Sequence, residues 1–404
     1  MLRTLSVFES DLEEFILMNK NIKVLKFERR NGIIRVVEVY NDSSVPFSCK
    51  RNYDRFSSWI QDRPIPTNQE HINAVLESVN ITSRDVLELL KVNSGFSLND
   101  SYWIVPLTSN DVTSPNITWD SNNLYSNDFS ESLGMVTFFG NPSSLGGTLH
   151  SPEITNQGSV GKAWRQEHNS LVLYKKASEG AANFGKDHWS EVIASRILKV
   201  IDVPHVDYWL SQWHGKQCSC CRIFTNENVG YLPMYSYLEG LGKTDRTLWK
   251  YDLLESVMPS EKDVQQLRDM IVFDFIIENW DRHYSNFGFL INNDTQEVLG
   301  LAPIFDNGYS LMCRDLDSDF VERNYISYTK PSAVSRGMTN RDLFLNLKLT
   351  SSDVRRYKHW AKEIRTHIDY VLDVPAYNWY LSGVKQLLMS RCRVLEEIVK
   401  WIEK

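Results

Sequence analysis

Apolar and polar positions alternate along residues 22–27 and 33–39, on either side of Arg30-Asn31-Gly32. Asn-Gly between two such runs predicts a hairpin, because its tight turn needs positive φ. Tyr53, Phe56 and Trp59 recur at a helical interval over residues 51–63, and Pro64 and Pro66 stop that run. Residues 68–79 and 82–91 read as two short helices, the second opened by a capping-box pattern in Thr82-Ser83-Arg84-Asp85. From 109 to 132 Asn, Ser, Asp and Thr dominate, which predicts a linker or a segment laid over the surface; Trp119 and Tyr125 favour one that packs down. Leu171 to Lys176 predicts a strand, and residues 188–200 an amphipathic helix with Trp189, Val192, Ile193 and Ile197 on its apolar side. Residues 206–210 and 221–225 read as further strands. Residues 263–280 predict a long buried helix, 287–291 and 298–301 a hairpin around Asn292-Asn293-Asp294, and 352–372 and 381–402 two long amphipathic helices. Mixed strands and helices of this kind imply an α+β protein.

The 404 residues are enough for two or three cores, and 42% hydrophobic with 24% charged residues is ordinary for a globular protein. A net charge of -7 argues against general binding to nucleic acid or anionic membranes, so no direct nucleic-acid contact is expected. No apolar run is long enough for a membrane span, and the stretch around Phe275 is broken by Asp274 and Glu278. Met1-Leu2-Arg3-Thr4 leads into Glu9, Asp11, Glu13 and Glu14 without a secretory pattern, and the expectation is a cytoplasmic protein. Of six cysteines only Cys218, Cys220 and Cys221 cluster, with His214 just before; a second ligand pair at zinc spacing is missing, so reduced thiols in or beside a strand are expected.

The chemistry concentrates between Asp281 and Asp306. The helix over 263–280 runs into Asn279-Trp280-Asp281-Arg282-His283-Tyr284-Ser285-Asn286, a hairpin follows, and the chain then reads Ile304-Phe305-Asp306-Asn307-Gly308. This order suits phosphoryl transfer of the kinase type. One Asp takes or orients the proton of the attacking hydroxyl, an Asn five residues on ligates a metal ion, and a second Asp reaches the metal from the returning strand. Asp281, Asn286 and Asp306 fit those roles in type, order and spacing, and Mg²⁺ favours the oxygens they offer. Gly308 follows close behind Asp306 and leaves the backbone room to turn. A lone Asp-Arg-His or Asp-Asn-Gly is usually a plain turn; the ordered set, bridged by a hairpin, is what points to a site. His283 reads as a brace for the loop rather than a base, and Arg282 as a holder of either the loop or a phosphate.

Upstream, Gly158-Ser159-Val160-Gly161-Lys162 forms a short Gly-rich loop, and backbone of that kind can turn its amides toward phosphates. Lys175, near the end of the next strand, can reach the same phosphates. Glu191, near the start of the helix over 188–200, stands where a kinase places the acid that pairs with the strand lysine, although a first-turn Glu is also favoured for its own sake. The backbone from Ile223 to Asn226, including Phe224, would then meet adenine. Asp315 to Glu322 is acidic, either a substrate or activation segment or plain solvated surface.

Asp281-Arg282-His283-x-x-Asn286, followed by Leu301-Ala302-Pro303-Ile304-Phe305-Asp306, resembles the signature of HipA-like serine/threonine kinases. The resemblance implies a two-lobed kinase-like fold, related to protein kinases and phosphoinositide kinases, preceded by a small α+β N-terminal domain. The expected division is a docking or regulatory domain over 1–108 and a linker or packed segment over 109–134, both read from the residues, then, by the resemblance, a kinase N-lobe over 135–226 and a helical C-lobe over 227–404. The implied cofactors are ATP and Mg²⁺, with Asp281 and Lys175 catalytic and Asn286 and Asp306 on the metal. Gly158, Ser159, Val160, Gly161, Lys162, Lys175, Glu191 and Phe224 would bind the nucleotide. Lys176 is the near neighbour of Lys175 in the same match, and Lys162 matches the lysine that closes the family's phosphate loop. In that family a serine of this loop can be autophosphorylated; Thr155 falls near its place and Ser159 within the loop. By resemblance the protein would be a toxin or stress and defence kinase acting on a translation-related protein, with an antitoxin or helix-turn-helix partner. The same chemistry serves small-molecule or lipid kinases, and a nucleotide-binding scaffold is the non-catalytic alternative.

Overall fold

A computed structural model describes residues 12–82, 84–107, 117–143, 145, 149–168, 170–321 and 323–398. The sequence expectations for the extreme N-terminus, Ser83, residues 109–116, Glu322 and the end of the last helix past 398 lie outside the described residues.

The N-terminal part is an antiparallel sheet of β1 (Leu12–Asn19), β2 (Ile22–Arg30), β3 (Ile33–Val39) and β4 (Tyr102–Leu107), in the order β3-β2-β1-β4. The predicted hairpin forms in the predicted register: Arg30 pairs with Ile33, and Asn31 and Gly32 turn at φ +51° and +76°. Phe15, Leu17, Val24, Leu25 and Phe27 face one side of this sheet, where the short helix Phe56–Gln61 closes the core with Phe56 and Ile60. The next helix, Ile72–Ser78, lies within the expected span. The third begins at Val86 rather than Thr82, because the Asp85 carboxylate is itself the cap and accepts from the Leu87 and Glu88 amides at 2.9 and 3.0 Å.

The described part of the segment over 109–134, from residue 117, packs down. Trp119, Leu124 and Phe129 join Phe96, Trp103 and Leu171 in one apolar cluster. The helix Glu131–Phe139 brings Leu133 and Val136 onto Ile65, Ile72, Val75 and Ile154. Two apolar clusters therefore contain residues from both sides of this stretch.

The next sheet is β5 (Lys162–Glu167), β6 (Ser170–Lys176), β7 (Tyr208–Trp213) and β8 (Lys216–Arg222), ordered β5-β6-β8-β7. β7 and β8 form a hairpin turned by His214 (φ +45°) and Gly215 (φ +78°), so the strand expected from 221 starts five residues earlier. The polar Lys216 and Gln217 beside the turn hid its beginning. Helix Asp187–Val200 lies by this sheet with Ile193, Ala194 and Ile197 buried.

The C-terminal lobe holds a small sheet, β11-β10-β9, made of β9 (Val229–Pro233), β10 (Gly288–Asn292) and β11 (Val298–Leu301). Its helical core joins Leu267, Ile271 and Phe275 of helix Glu261–Ile277 to Tyr357 and Trp360 of helix Ser351–Thr366 and Leu388 of helix Asn378–Glu397. Helix Glu261–Ile277 opens on Ser260, whose hydroxyl accepts the Asp263 amide, and stops before Trp280 because Glu278 enters the left-handed region at φ +50°. The helix expected over 352–372 divides at His367 into Ser351–Thr366 and Ile368–Val371. Among the described residues no helix is long and apolar enough to cross a membrane.

Candidate active site

The loop after helix Glu261–Ile277 is built around one buried cation. Arg282 is 1% exposed and grips the Asp274 carboxylate of that helix at 3.0 and 3.1 Å. It also donates to the backbone carbonyls of Asn286 at 3.1 Å and Phe305 at 2.5 Å, and to the Asn307 side chain. Helix, loop and the 305–307 segment are thus pinned by one planar donor fork. Of its two possible tasks, Arg282 therefore performs loop-holding. Among the described residues the exposed His283 ring accepts the Ser285 amide at 3.3 Å, a local bond within the loop.

That scaffold leaves the Asp281 carboxylate without a hydrogen-bond partner among the described residues. Its backbone carbonyl takes the Asn286 Nδ2 at 2.9 Å and the His283 amide at 2.7 Å. Because the Asn286 nitrogen is committed there, its Oδ1 is the atom left to face the cleft. Burial pushes the Asp281 carboxyl up, and the nearby Asp306 charge adds to this against His283 and Lys175.

Asp306 sits at φ +55°, a left-handed turn that delivers its carboxylate to Lys175 on β6. The same ammonium lies 3.4 Å from Glu191, which is fully buried and also takes the Asn307 amide at 2.9 Å. A side chain at Gly308 would bring its Cβ to 2.8 Å from Glu191 Oε2, so this approach needs glycine. Burial alone would raise the Asp306 carboxyl; the Lys175 ammonium outweighs it and holds the group at about 2. Glu191 moves the other way, raised by its burial. Lys176 points to the opposite face of the strand, 3.2 Å from Glu70 and 3.4 Å from Glu179, which separates the two adjacent lysines.

Asp281, Asn286, Asp306, Lys175, Lys162 and Phe224 line one cleft of about 390 Å³ between the lobes, with Gly158, Ser159 and Val160 at its lip. That size suits a bound small molecule. At its inner end the Phe224 ring packs on Phe305, centroids 5.3 Å apart, and on Tyr231 at 5.7 Å. The Ile223 amide is used by Leu171 (3.0 Å). Among the described residues the Phe224 and Thr225 amides find no acceptor, which leaves backbone donors at the edge of the cleft.

The Gly-rich loop is held from an unexpected side. Glu70 accepts the Gly161 amide at 2.9 Å, and its own amide donates to the Ser159 carbonyl at 2.8 Å. Gln157 adds bonds to the carbonyls of Asp62, Arg63 and Pro64 at 3.0 to 3.2 Å. The Gly161 amide therefore faces the N-terminal part and not the cleft, unlike its expected role. Lys162 donates to the Gln157 carbonyl; burial, then the Lys175 charge, lowers it to about 8. Ser159 is exposed, whereas Thr155 is buried with its hydroxyl on the Phe96 carbonyl at 2.6 Å. Glu70 escaped sequence reasoning because it lies in no motif; Gln157 and Asn307 adjoin the Gly-rich loop and Asp306, but nothing local marked their partners.

The three clustered cysteines lie on β8. Cys218 and Cys220 are buried beside Trp213, while Cys221 lines the cleft with its thiol pushed up to about 12 by burial. In the acidic stretch Asp315 is buried and paired with Arg323, so that residue is structural and not solvated surface.

No protein-family model matches the chain. It is similar to the serine/threonine-protein kinase CtkA of Helicobacter pylori, 27% identical over 161 residues, which cover 36% of this chain and 49% of that protein. The match thus spans about half the length of this curated relative. Among solved structures, the crystal structure of CtkA superposes with a TM-score of 0.48 at 18% identity, over 61% of this chain and 93% of that one. HipA of Shewanella oneidensis, solved as a toxin–antitoxin complex with HipB and operator DNA, superposes with a TM-score of 0.56 at 12% identity, over 96% of this chain and 99% of that one. The fold is the two-lobed, HipA-like kinase fold, with the N-terminal α+β part included in the match.

Proposed function

We propose that the protein is an ATP- and Mg²⁺-dependent serine/threonine protein kinase of the HipA-like type. The observation that carries this reading is the joint presence, in one cleft, of an Asp281 carboxylate without a partner among the described residues and a Lys175 bonded to both Asp306 and Glu191. Structural ion pairs do not need an uncommitted acid beside them; phosphoryl transfer does.

ATP fits the cleft with its base toward Phe224 and the free amides beside it, and its phosphates toward Lys175 and Lys162. Asp306, kept ionised by Lys175, and the Asn286 carbonyl oxygen are the groups that would hold Mg²⁺. Magnesium bound there supplies positive charge against the phosphate oxygens. Glu191 fixes Lys175 in the cleft and anchors the Asn307 amide, which sets the turn that presents Asp306. Asp281 orients the acceptor hydroxyl and takes its proton as the oxygen attacks the γ-phosphorus and the bond to the ADP oxygen breaks. Arg282 keeps both acidic segments in register from beneath.

The fold shared with a HipB-bound HipA supports a toxin or defence role and a partner that restrains the enzyme. The likeness to a serine/threonine-protein kinase supports a protein acceptor, for which a component of the translation machinery is our proposal. The test is incubation of purified protein with γ-labelled ATP and Mg²⁺, alone and in cell extract, followed by mass spectrometry. Label on a serine or threonine, of this chain or of an extract protein, is expected. ATP consumption that responds to a metabolite, without any labelled protein, would replace this reading with a small-molecule kinase.

A further inference from the structure

A second cavity, of about 760 Å³, opens beside the catalytic loop and shares His283, Ser285, Tyr235 and Gln157 with the nucleotide cleft. One wall belongs to the N-terminal part (Ile65, Ile72, Leu89) and the other to the C-terminal lobe (Trp249, Tyr284). Its apolar walls carry three arginines: Arg84, Arg246 and Arg336.

These cations are weakly engaged. Among the described residues Arg84 reaches the Asn73 side chain at 3.1 Å and the Thr67 carbonyl at 3.5 Å, and no carboxylate. Arg246 pairs with Glu239 at 3.2 Å, a carboxylate already 3.2 Å from Arg55. Arg336 is exposed and has no carboxylate partner among the described residues. The single acid on the lining is Asp62, whose carboxyl burial raises. In a chain of net charge -7, a groove with three arginines to one acid is locally reversed in sign.

Resting on the kinase reading, we infer that this groove is the acceptor site and takes an extended polypeptide whose serine or threonine is flanked by acidic side chains. A hydroxyl presented from the shared edge at Ser285 and His283 enters the cleft beside Asp281, apolar side chains settle between Ile65 and Trp249, and carboxylates meet the arginines. The transfer itself is the one already described: the hydroxyl oxygen gains phosphorus, its proton passes to Asp281, and ADP leaves.

The test is a set of serine peptides of equal length, flanked by Glu, Lys or Ala, assayed for binding by fluorescence anisotropy and for labelling by γ-labelled ATP. Wild type is compared with Arg336→Glu and Arg84→Glu, neither of which touches the nucleotide cleft. Expected are roughly tenfold better use of Glu-flanked than of Lys-flanked peptides, and a preference narrowed or inverted in the double variant, with autophosphorylation and ATP consumption unchanged. Equal use of all three peptides overturns the inference. So does an RNA oligonucleotide that displaces the acidic peptide at lower concentration. Autophosphorylation without transfer to any peptide overturns the groove and leaves the kinase standing; loss of ATP turnover altogether overturns both.

Discussion

At the scale of residues, charge settles what each group can do. Asp306 has its carboxyl held at about 2 by Lys175, below its unfolded value near 4. A depressed acid stabilises the fold above the unfolded pKa, and that contribution is lost as pH falls from about 4 to about 2. Asp306→Asn should therefore flatten the acid limb of the stability profile, measured by denaturant unfolding between pH 5 and 2. Lys162, lowered to about 8, bears on function instead: it loses its proton as pH rises through that value. The kcat/KM for ATP of the free enzyme should fall above pH 8, and Lys162→Arg, which stays charged, should move that limb to higher pH. Arg282→Ala would strand the Asp274 carboxylate in the core, with an expected loss of roughly 3–5 kcal/mol by urea unfolding.

At the scale of elements, the loop over 279–286 and both hairpins were legible because local chemistry dictates them. Asn31-Gly32 makes one turn whatever surrounds it, and a helix that runs into Asp-Arg-His-x-x-Asn announces its own end. What could not be read from local pattern is contact between distant segments. Glu70 lies 91 residues before the Gly161 amide it accepts, and nothing in its neighbourhood in sequence marks it. Likewise β4 is rich in strand formers, but nothing local names β1, at the far end of the N-terminal part, as its partner. The β7–β8 turn was missed because His214 takes positive φ without the usual Asn or Asp. The Glu70 tether yields its own prediction. Glu70→Ala should raise the KM for ATP roughly tenfold, the size of one lost charge-assisted bond, with kcat changed less, and should speed amide exchange at Gly161.

At the scale of the whole molecule, the N-terminal part is bound into the kinase lobe by shared cores. Leu133, Val136 and Ile154 pack with Ile65, Ile72 and Leu89, and Leu171 of β6 packs with Phe96 and Trp103. A chain begun after residue 116 would leave those faces exposed and should aggregate. The full chain should lose β1–β8 in one thermal transition, followed by tryptophan fluorescence and hydrogen exchange; a separate early transition of the N-terminal part would contradict the shared core. The lobes meet at the cleft where Lys175 from one and Asp306 from the other are bonded, so the central claim is tested there. Transfer of label from γ-labelled ATP should be measured for wild type, Asp281→Ala and Asp306→Ala, alongside nucleotide affinity. Phosphoryl-transfer chemistry predicts a drop of roughly 10²–10⁴ in kcat for Asp281→Ala with ATP affinity retained, and loss of Mg²⁺-dependent turnover for Asp306→Ala. Turnover undiminished in both variants, or tight ATP binding by wild type with no transfer to protein or small molecule, would contradict it.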